Sequence, residues 1–179
     1  MRRWWSLLLV AAILMSISSC SWGQNKGTGD YAPGDTISTY WFDFSVDTVD
    51  VIDSYDGYRP ASGNQLVACR LSLKNTFDEA ISMSQTDFFL LWSHTSGDTS
   101  SEEEEMAGTY ALPKFSNRQL EDTYDLEPGE SREGDLVFEL PDTTDRVALV
   151  FEEYYVDSES ETGYSIGDRY RVWFDLTEA

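Results

Sequence analysis

An all-β chain, folded as an immunoglobulin-like antiparallel β-sandwich, is what the sequence predicts, and three observations predict it. Apolar residues recur at every second position in several separate segments, the period of a strand with one buried face. Gly- and Pro-containing turn dipeptides lie between those segments. No segment keeps a helical stripe for three turns.

The first strand is a long one. Tyr40, Phe42, Phe44 and Val46 alternate with Trp41, Asp43, Ser45 and Asp47, and Val49 and Val51 then continue in the opposite phase, which predicts a β-bulge near Thr48. Val67, Cys69, Leu71 and Leu73 alternate with Ala68, Arg70, Ser72 and Lys74, predicting a strand with one apolar and one solvated face. Phe88 to Trp92 is apolar on both faces and belongs in the middle of a sheet or beneath a loop. Three more alternating runs follow: Leu136, Phe138 and Leu140; Val147, Leu149 and Phe151; and Tyr170, Val172, Phe174 and Leu176. Turns are expected at Asp56–Gly57, Ser62–Gly63, Pro128–Gly129 and Pro141–Asp142. Six or seven such strands make a sandwich, here without the inter-sheet disulfide of antibody domains.

Composition narrows the function classes. The chain has 179 residues, with 12 Lys and Arg against 33 Asp and Glu, a formal charge of -21 and a pI near 4.1. A nucleic-acid binder is excluded by that sign. With 41% hydrophobic and 14% aromatic residues the chain is rich enough in apolar surface to form a core, so it is not an acidic disordered tail.

The N-terminus reads as an address. Arg2 and Arg3 precede the apolar run Leu7–Met15, the order of a secretory signal, and Ser16, Ser18 and Ser19 interrupt it short of the roughly 20 apolar residues that a bilayer core demands. Ile17, Ser18, Ser19 and Cys20 resemble the bacterial lipobox, with Ile where Leu is commoner, so residues 1–19 are expected to be removed and Cys20 acylated. The simpler alternative is a plain secretory signal whose Cys20 later forms a disulfide. The acidic chain would be repelled by anionic headgroups, so attachment would rest on the lipid, on the outer face of the cell membrane or on an outer membrane. Residues 20–34, rich in Gly, Ser, Asn and Asp, read as a flexible tether, and residues 35–179 as the domain. Cys69, in an alternating run, reads as a buried, unreactive thiol.

Several segments together carry a family resemblance. Leu71-Ser72-Leu73-Lys74-Asn75 followed by Asp78, Asp87-Phe88-Phe89-Leu90-Leu91, the turn Leu126-Glu127-Pro128-Gly129-Glu130-Ser131, and Gly134 before Leu136-Val137-Phe138-Glu139-Leu140-Pro141 resemble domain-of-unknown-function family 4352 over about Asp35 to Leu176. The resemblance implies an immunoglobulin-like domain of bacterial secreted proteins and lipoproteins, related to a mycobacterial secreted immunoprotective antigen. It implies no catalytic residue.

Chemistry is thinly marked. His94 is the single histidine, among Ser93, Thr95, Ser96 and Gly97 in what reads as a solvated turn, so neither a His-based triad nor a multi-histidine zinc site is expected. A carboxylate pair could serve a hydrolase, but 33 acids make chance pairs common. Calcium is the one cofactor with candidate ligands: Asp50, Asp53 and Asp56 ahead of Gly57, and the run Glu102, Glu103, Glu104 and Glu105. The simpler reading of the Glu run is a self-repelling loop tip, and the Asp spacing is not that of an EF-hand. Tyr154, Tyr155 and Tyr164, and Tyr55 and Tyr58 beside Asp53 and Asp56, suit either recognition or loop anchoring. The expectation is a non-catalytic module recognising an envelope or secreted protein through its loops.

Overall fold

The computed structural model describes residues 25–26, 28–94 and 105–176. Strands are numbered in chain order. One sheet runs β1 (Asn25–Lys26), β3 (Ile37–Ser38), β4 (Phe42–Ile52), β5 (Asn64–Asn75) and β10 (Ser131–Pro141). The other runs β2 (Gly29–Tyr31), β12 (Tyr164–Asp175), β11 (Arg146–Val156), β7 (Phe88–His94) and β8 (Glu105–Tyr110), while β6 (Ile81–Ser84) and β9 (Thr123–Leu126) form a separate ribbon. The two large sheets face one another as a β-sandwich. Inward residues of the first, Phe42, Phe44, Leu71 and Phe138, share one buried cluster with Phe88, Leu90, Phe151 and Tyr170 of the second. Aromatic rings cross the interface edge to face, Phe42 to Phe151 at 4.9 Å and Phe44 to Phe88 at 5.4 Å, the arrangement that ring quadrupoles favour.

The bulge expected near Thr48 is present: the β4–β5 register slips between Val46 and Thr48, so Asp47 has no partner across the ladder. Cys69 is fully buried, and burial drives its thiol well above the ordinary range. The Pro128–Gly129 turn closes with Glu130 N donating to Glu127 O at 2.9 Å. Asn75, at the end of β5, ties this turn to the rest. Its backbone N donates to Glu130 O at 2.9 Å, and its side-chain amide donates to Glu79 O at 2.9 Å and Leu126 O at 2.8 Å and accepts from Phe77 N at 2.8 Å.

Four expectations need correction. Strand pairing begins well before Asp35: β2 lies parallel to β12, with Tyr31 opposite Val172 and buried, and β1 lies parallel to β3, so the expected tether supplies two short strands to an otherwise antiparallel sandwich. The short strands β6 and β9, absent from the expected set, pair with each other apart from the two large sheets. The outer face of β5 is not simply solvated, because Leu66 and Ala68 pack with Val137 and Tyr55 beneath the segment from Ala111 to Leu120. That segment hydrogen-bonds Asp135 from both sides, and it passes so close to Gly134 that an added Cβ would lie 2.9 Å from Leu120 N. His94 ends a strand, paired with Glu105, and is not in a turn.

Candidate functional site

The β11–β12 hairpin lies inside the second sheet, between β2 and β7, and carries the features that packing does not explain. Its register slips between Glu152 and Tyr154, where Gly167 and Asp168 of β12 stand opposite the single residue Glu153. Beyond this bulge two cross-strand pairs occupy the outer face, Tyr154 with Ile166 and Val156 with Tyr164. All four are exposed, at 53%, 61%, 87% and 58%. Tyr110 of β8, also exposed, lies near enough to Tyr154 to act on its ionisation. Large apolar side chains concentrated on one open face mark an interaction surface more than scattered ones would.

On the inner face the same hairpin buries a carboxylate. Strand alternation turns Glu153 inward with Phe151, Tyr155 and, across the ladder, Tyr170. It is 2% exposed. Its Oε1 accepts from Tyr40 N at 2.7 Å and Tyr170 Oη at 3.0 Å, and its Oε2 accepts from Tyr155 Oη at 2.5 Å. Among the described residues it pairs with no Lys or Arg. Thr39 arranges the loop that brings Tyr40 there: its Oγ1 accepts from Trp41 N at 3.2 Å and Phe42 N at 3.0 Å and donates to Phe42 O at 2.8 Å, leaving Tyr40 N to point at Glu153. The Tyr40 ring meets Trp41, Phe77 and Tyr155 at 5.4, 5.7 and 6.3 Å. Burial, then the Glu153 hydrogen bond and charge, push the Tyr155 phenol up, and burial followed by Glu153 does the same to Tyr170.

Beside Glu153 opens a pocket of about 260 Å³, lined by Ser38, Thr39, Tyr40, Tyr155, Asp168 and Tyr170 with Glu153 itself. Ser38 is 4% exposed, and among the described residues its hydroxyl has no hydrogen-bond partner. Asp168 Oδ1 accepts from Thr28 Oγ1 at 2.8 Å. Gly167 gives Tyr155 its place: a Cβ there would fall 2.2 Å from Tyr155 Cε2.

A second groove, of about 310 Å³, lies on the other side of Trp41, between β4, β6 and β11, with Ile81, Met83, Asp87, Phe151, Glu152 and Tyr154 among its walls. β7 pairs with β11 at Ala148–Phe151, and among the described residues the Glu152–Val156 edge has no ladder partner on that side. Asp87 is raised by burial, opposed by its hydrogen bond from Ser84 N. Glu152 is held in ion-pair contact with Arg169 and accepts from Tyr154 Oη at 2.7 Å. Glu152 and Glu153 thus face opposite sides of one strand and do not converge as a catalytic carboxylate pair would.

Of the residues proposed from sequence for metal binding, Asp50, Asp53 and Asp56 are described. Asp56 takes φ 45° in a tight turn closed by reciprocal Tyr55 and Tyr58 backbone bonds, and its carboxylate is engaged by Ser116 Oγ and by Arg118 Nη2 at 3.6 Å. Asp50 and Asp53 are exposed. Among the described residues no group of three or more His, Cys, Asp or Glu could hold a metal ion. Cys20, Glu102, Glu103 and Glu104 lie outside the described residues, and Glu105 enters as the first residue of β8. Tyr55 and Tyr58 are anchors: Tyr55 Oη donates to Asp135 at 2.6 Å, with Arg118 over its ring at 4.2 Å, and Tyr58 Oη donates to Glu139 at 2.6 Å. Ser38, Glu153 and Asp168 were not singled out from sequence, although extending the Leu149, Phe151 alternation by two and four residues puts Glu153 and Tyr155 on the buried face.

Comparison with known proteins places the fold. The profile of a family described as Domain of unknown function (DUF4352) matches residues 31–161. Two solved structures are similar at 15% identity. One is ycdA, a presumed lipoprotein from Bacillus subtilis subsp. subtilis str. 168, with 79% of this chain and 38% of that one covered and a TM-score of 0.51. The other is the yjhA protein from Bacillus subtilis, with 79% and 99% covered and a TM-score of 0.53. The chain therefore spans well under half of ycdA. No functionally curated protein matches it. At such identity the likeness is one of fold.

Proposed function

The chain belongs to the family described as Domain of unknown function (DUF4352), and from that premise we propose that it is a bacterial lipoprotein, acylated at Cys20 and held outside the cell, whose β-sandwich binds an envelope or secreted protein without catalysing a reaction. The observation that carries the binding role is the exposed pairing of Tyr154 with Ile166 and Val156 with Tyr164 on one hairpin face. Four large apolar side chains kept in water are unfavourable for the free domain and become favourable when a partner covers them, at about 25 cal/mol per Å² of apolar surface removed from water. The acidic field of the chain favours a cationic partner and speeds encounter with it.

Support for the anchor comes from Ile17-Ser18-Ser19-Cys20 behind a short apolar run, and from the likeness to a presumed lipoprotein. Among the described residues no helix is long and apolar enough to cross a membrane. Cys20→Ala should move the protein from the membrane fraction to the medium or periplasm, and mass spectrometry of the unaltered chain should find an acyl mass on Cys20. Capture of an envelope protein by the full chain, abolished by Tyr154→Ser with Ile166→Ser, tests the binding face. Membrane retention of Cys20→Ala would remove the anchor, and undiminished capture by the double variant would remove the face.

A further inference from the structure

We propose that the partner is held by strand addition: an extended segment rich in Lys or Arg pairs with the free edge of β11 at Tyr154–Val156 and lays alternate side chains into the groove beside Trp41. This rests on the reading of the hairpin as the binding face, and names the form and the charge of what it binds.

Backbone geometry carries the argument. Asp157 N donates to Gly163 O at 2.9 Å, and Val156 and Tyr155 pair with Tyr164 and Ser165 in unbroken register. Main-chain groups point to alternate sides along a strand, so those of Tyr155 face β12 and those of Tyr154 and Val156 face away from it. On that far side β7 accompanies β11 only as far as Phe151, and the residues ahead of Phe88 form the 3₁₀ turn Gln85–Asp87. Among the described residues, Tyr154 and Val156 thus offer their N–H and C=O groups to an incoming strand. Natural edges are commonly guarded by Lys or Pro, and Tyr154-Tyr155-Val156 has neither.

The groove chooses the side chains. A strand laid on this edge sends every second side chain inward, toward the groove of about 310 Å³ walled by Trp41, Ile81, Met83 and Phe151, which suits aliphatic residues. Asp87 and Glu152 also line the groove, and no Lys or Arg is among its lining residues. Glu159 and Glu161 stand exposed between β11 and β12, and the chain as a whole carries a formal charge of -21. Basic residues at the intervening positions are therefore favoured. The same charge opposes a second copy of the chain, since pairing two of these edges would bring two acidic hairpins together.

The test is fluorescence anisotropy of a labelled peptide, alternating Val and Lys over about six residues to match the edge, titrated with the purified full chain in detergent. Saturable binding is expected, with at least about tenfold loss when Glu replaces Lys in the peptide. N-methylation of alternate peptide amides reads the backbone: methylating the set that faces β11 should cost at least about tenfold, and methylating the other set less than about threefold. Val156→Pro removes one edge donor and should weaken binding about tenfold, while Val156→Thr, which keeps the N–H, should stay within about threefold. The methylated peptides keep the test on the unaltered chain should Val156→Pro fold poorly. Absence of saturable binding, equal affinity for the Glu peptide, equal effects of the two methylated sets, or unchanged affinity in a folded Val156→Pro would overturn the proposal. A dimer in sedimentation that Val156→Pro dissolves would also overturn it, by giving the edge to a second copy. Envelope capture is measured separately. Capture abolished by Tyr154→Ser with Ile166→Ser yet untouched by Val156→Pro would end this inference and leave the binding face standing, and peptide binding without capture would do the reverse.

Discussion

Tyr170 Oη donates a 3.0 Å hydrogen bond to Glu153 Oε1, and both side chains are 2% exposed, so the sandwich seals a carboxylate inside one end of its core with tyrosines in place of a basic residue. The arrangement stands because every donor around it is oriented by a strand or by the Thr39 loop. Changing the acceptor should therefore be felt across the whole hairpin.

Glu153→Leu leaves the Tyr40 N–H and two phenols unpaired in the core and should destabilise by about 2–4 kcal/mol. Glu153→Gln keeps Oε1 and lets Tyr155 rotate to accept from the new amide, so it should cost about 1 kcal/mol. Urea unfolding of the two variants checks the order, which reverses if packing and not hydrogen bonding dominates the site.

Gly167→Ala puts a methyl group into the Tyr155 ring, 2.2 Å from Cε2. Tyr155 must leave its contacts with Glu153 and with Trp41, whose ring lies 5.2 Å away. A loss of about 1–3 kcal/mol is expected, together with altered near-ultraviolet circular dichroism from Trp41.

Gly134→Ala acts on the other sheet, in β10 opposite Leu71. Here the obstacle includes backbone, Leu120 N at 2.9 Å, and the Asp135 bonds to Arg118 and Leu120 fix that approach. The covering segment should lift off β10, exposing Leu66 and Tyr55, which faster amide exchange at Leu112 and Leu120 would report.

Alkaline unfolding should follow from the buried phenols. Burial, then the bond to Asp135, pushes Tyr55 up to about 12. Tyr124 is also raised, through burial, and Tyr155 and Tyr170 by burial with Glu153. For a group raised on folding, the stabilisation is complete below the unfolded value near 10 and is lost as pH climbs through the folded value, because the unfolded chain then binds fewer protons. Tm should be flat up to about pH 9.5 and fall steadily above it, with phenolate absorbance at 295 nm rising cooperatively at unfolding.

Cys69 should not react with an aromatic disulfide reagent in the folded protein and should react fully in denaturant, since burial both shields the sulfur and keeps it protonated. Rapid native labelling would mean that β5 opens locally.

The strand-rich sandwich, the bulge at Asp47, the turn at Pro128–Gly129 and the burial of Cys69 were legible in the residues themselves. Each follows from which side of a strand is apolar, or from a turn's own φ demands, and both are written locally. The short strands β1, β2, β3, β6 and β9 were not legible, because two to four residues are too few to display a period and the Gly-rich stretch before Asp35 reads as a linker. Those segments are ordered by edges supplied from elsewhere: Tyr31 finds Val172 across most of the chain. The pocket belongs to the same class. Alternation points Glu153 inward, but the residues around it come from two other segments, 38–40 and 168–170, that lie far apart in the sequence. Tertiary structure alone decides such a meeting, since a hydrogen bond depends on distance in space and leaves no spacing in the chain.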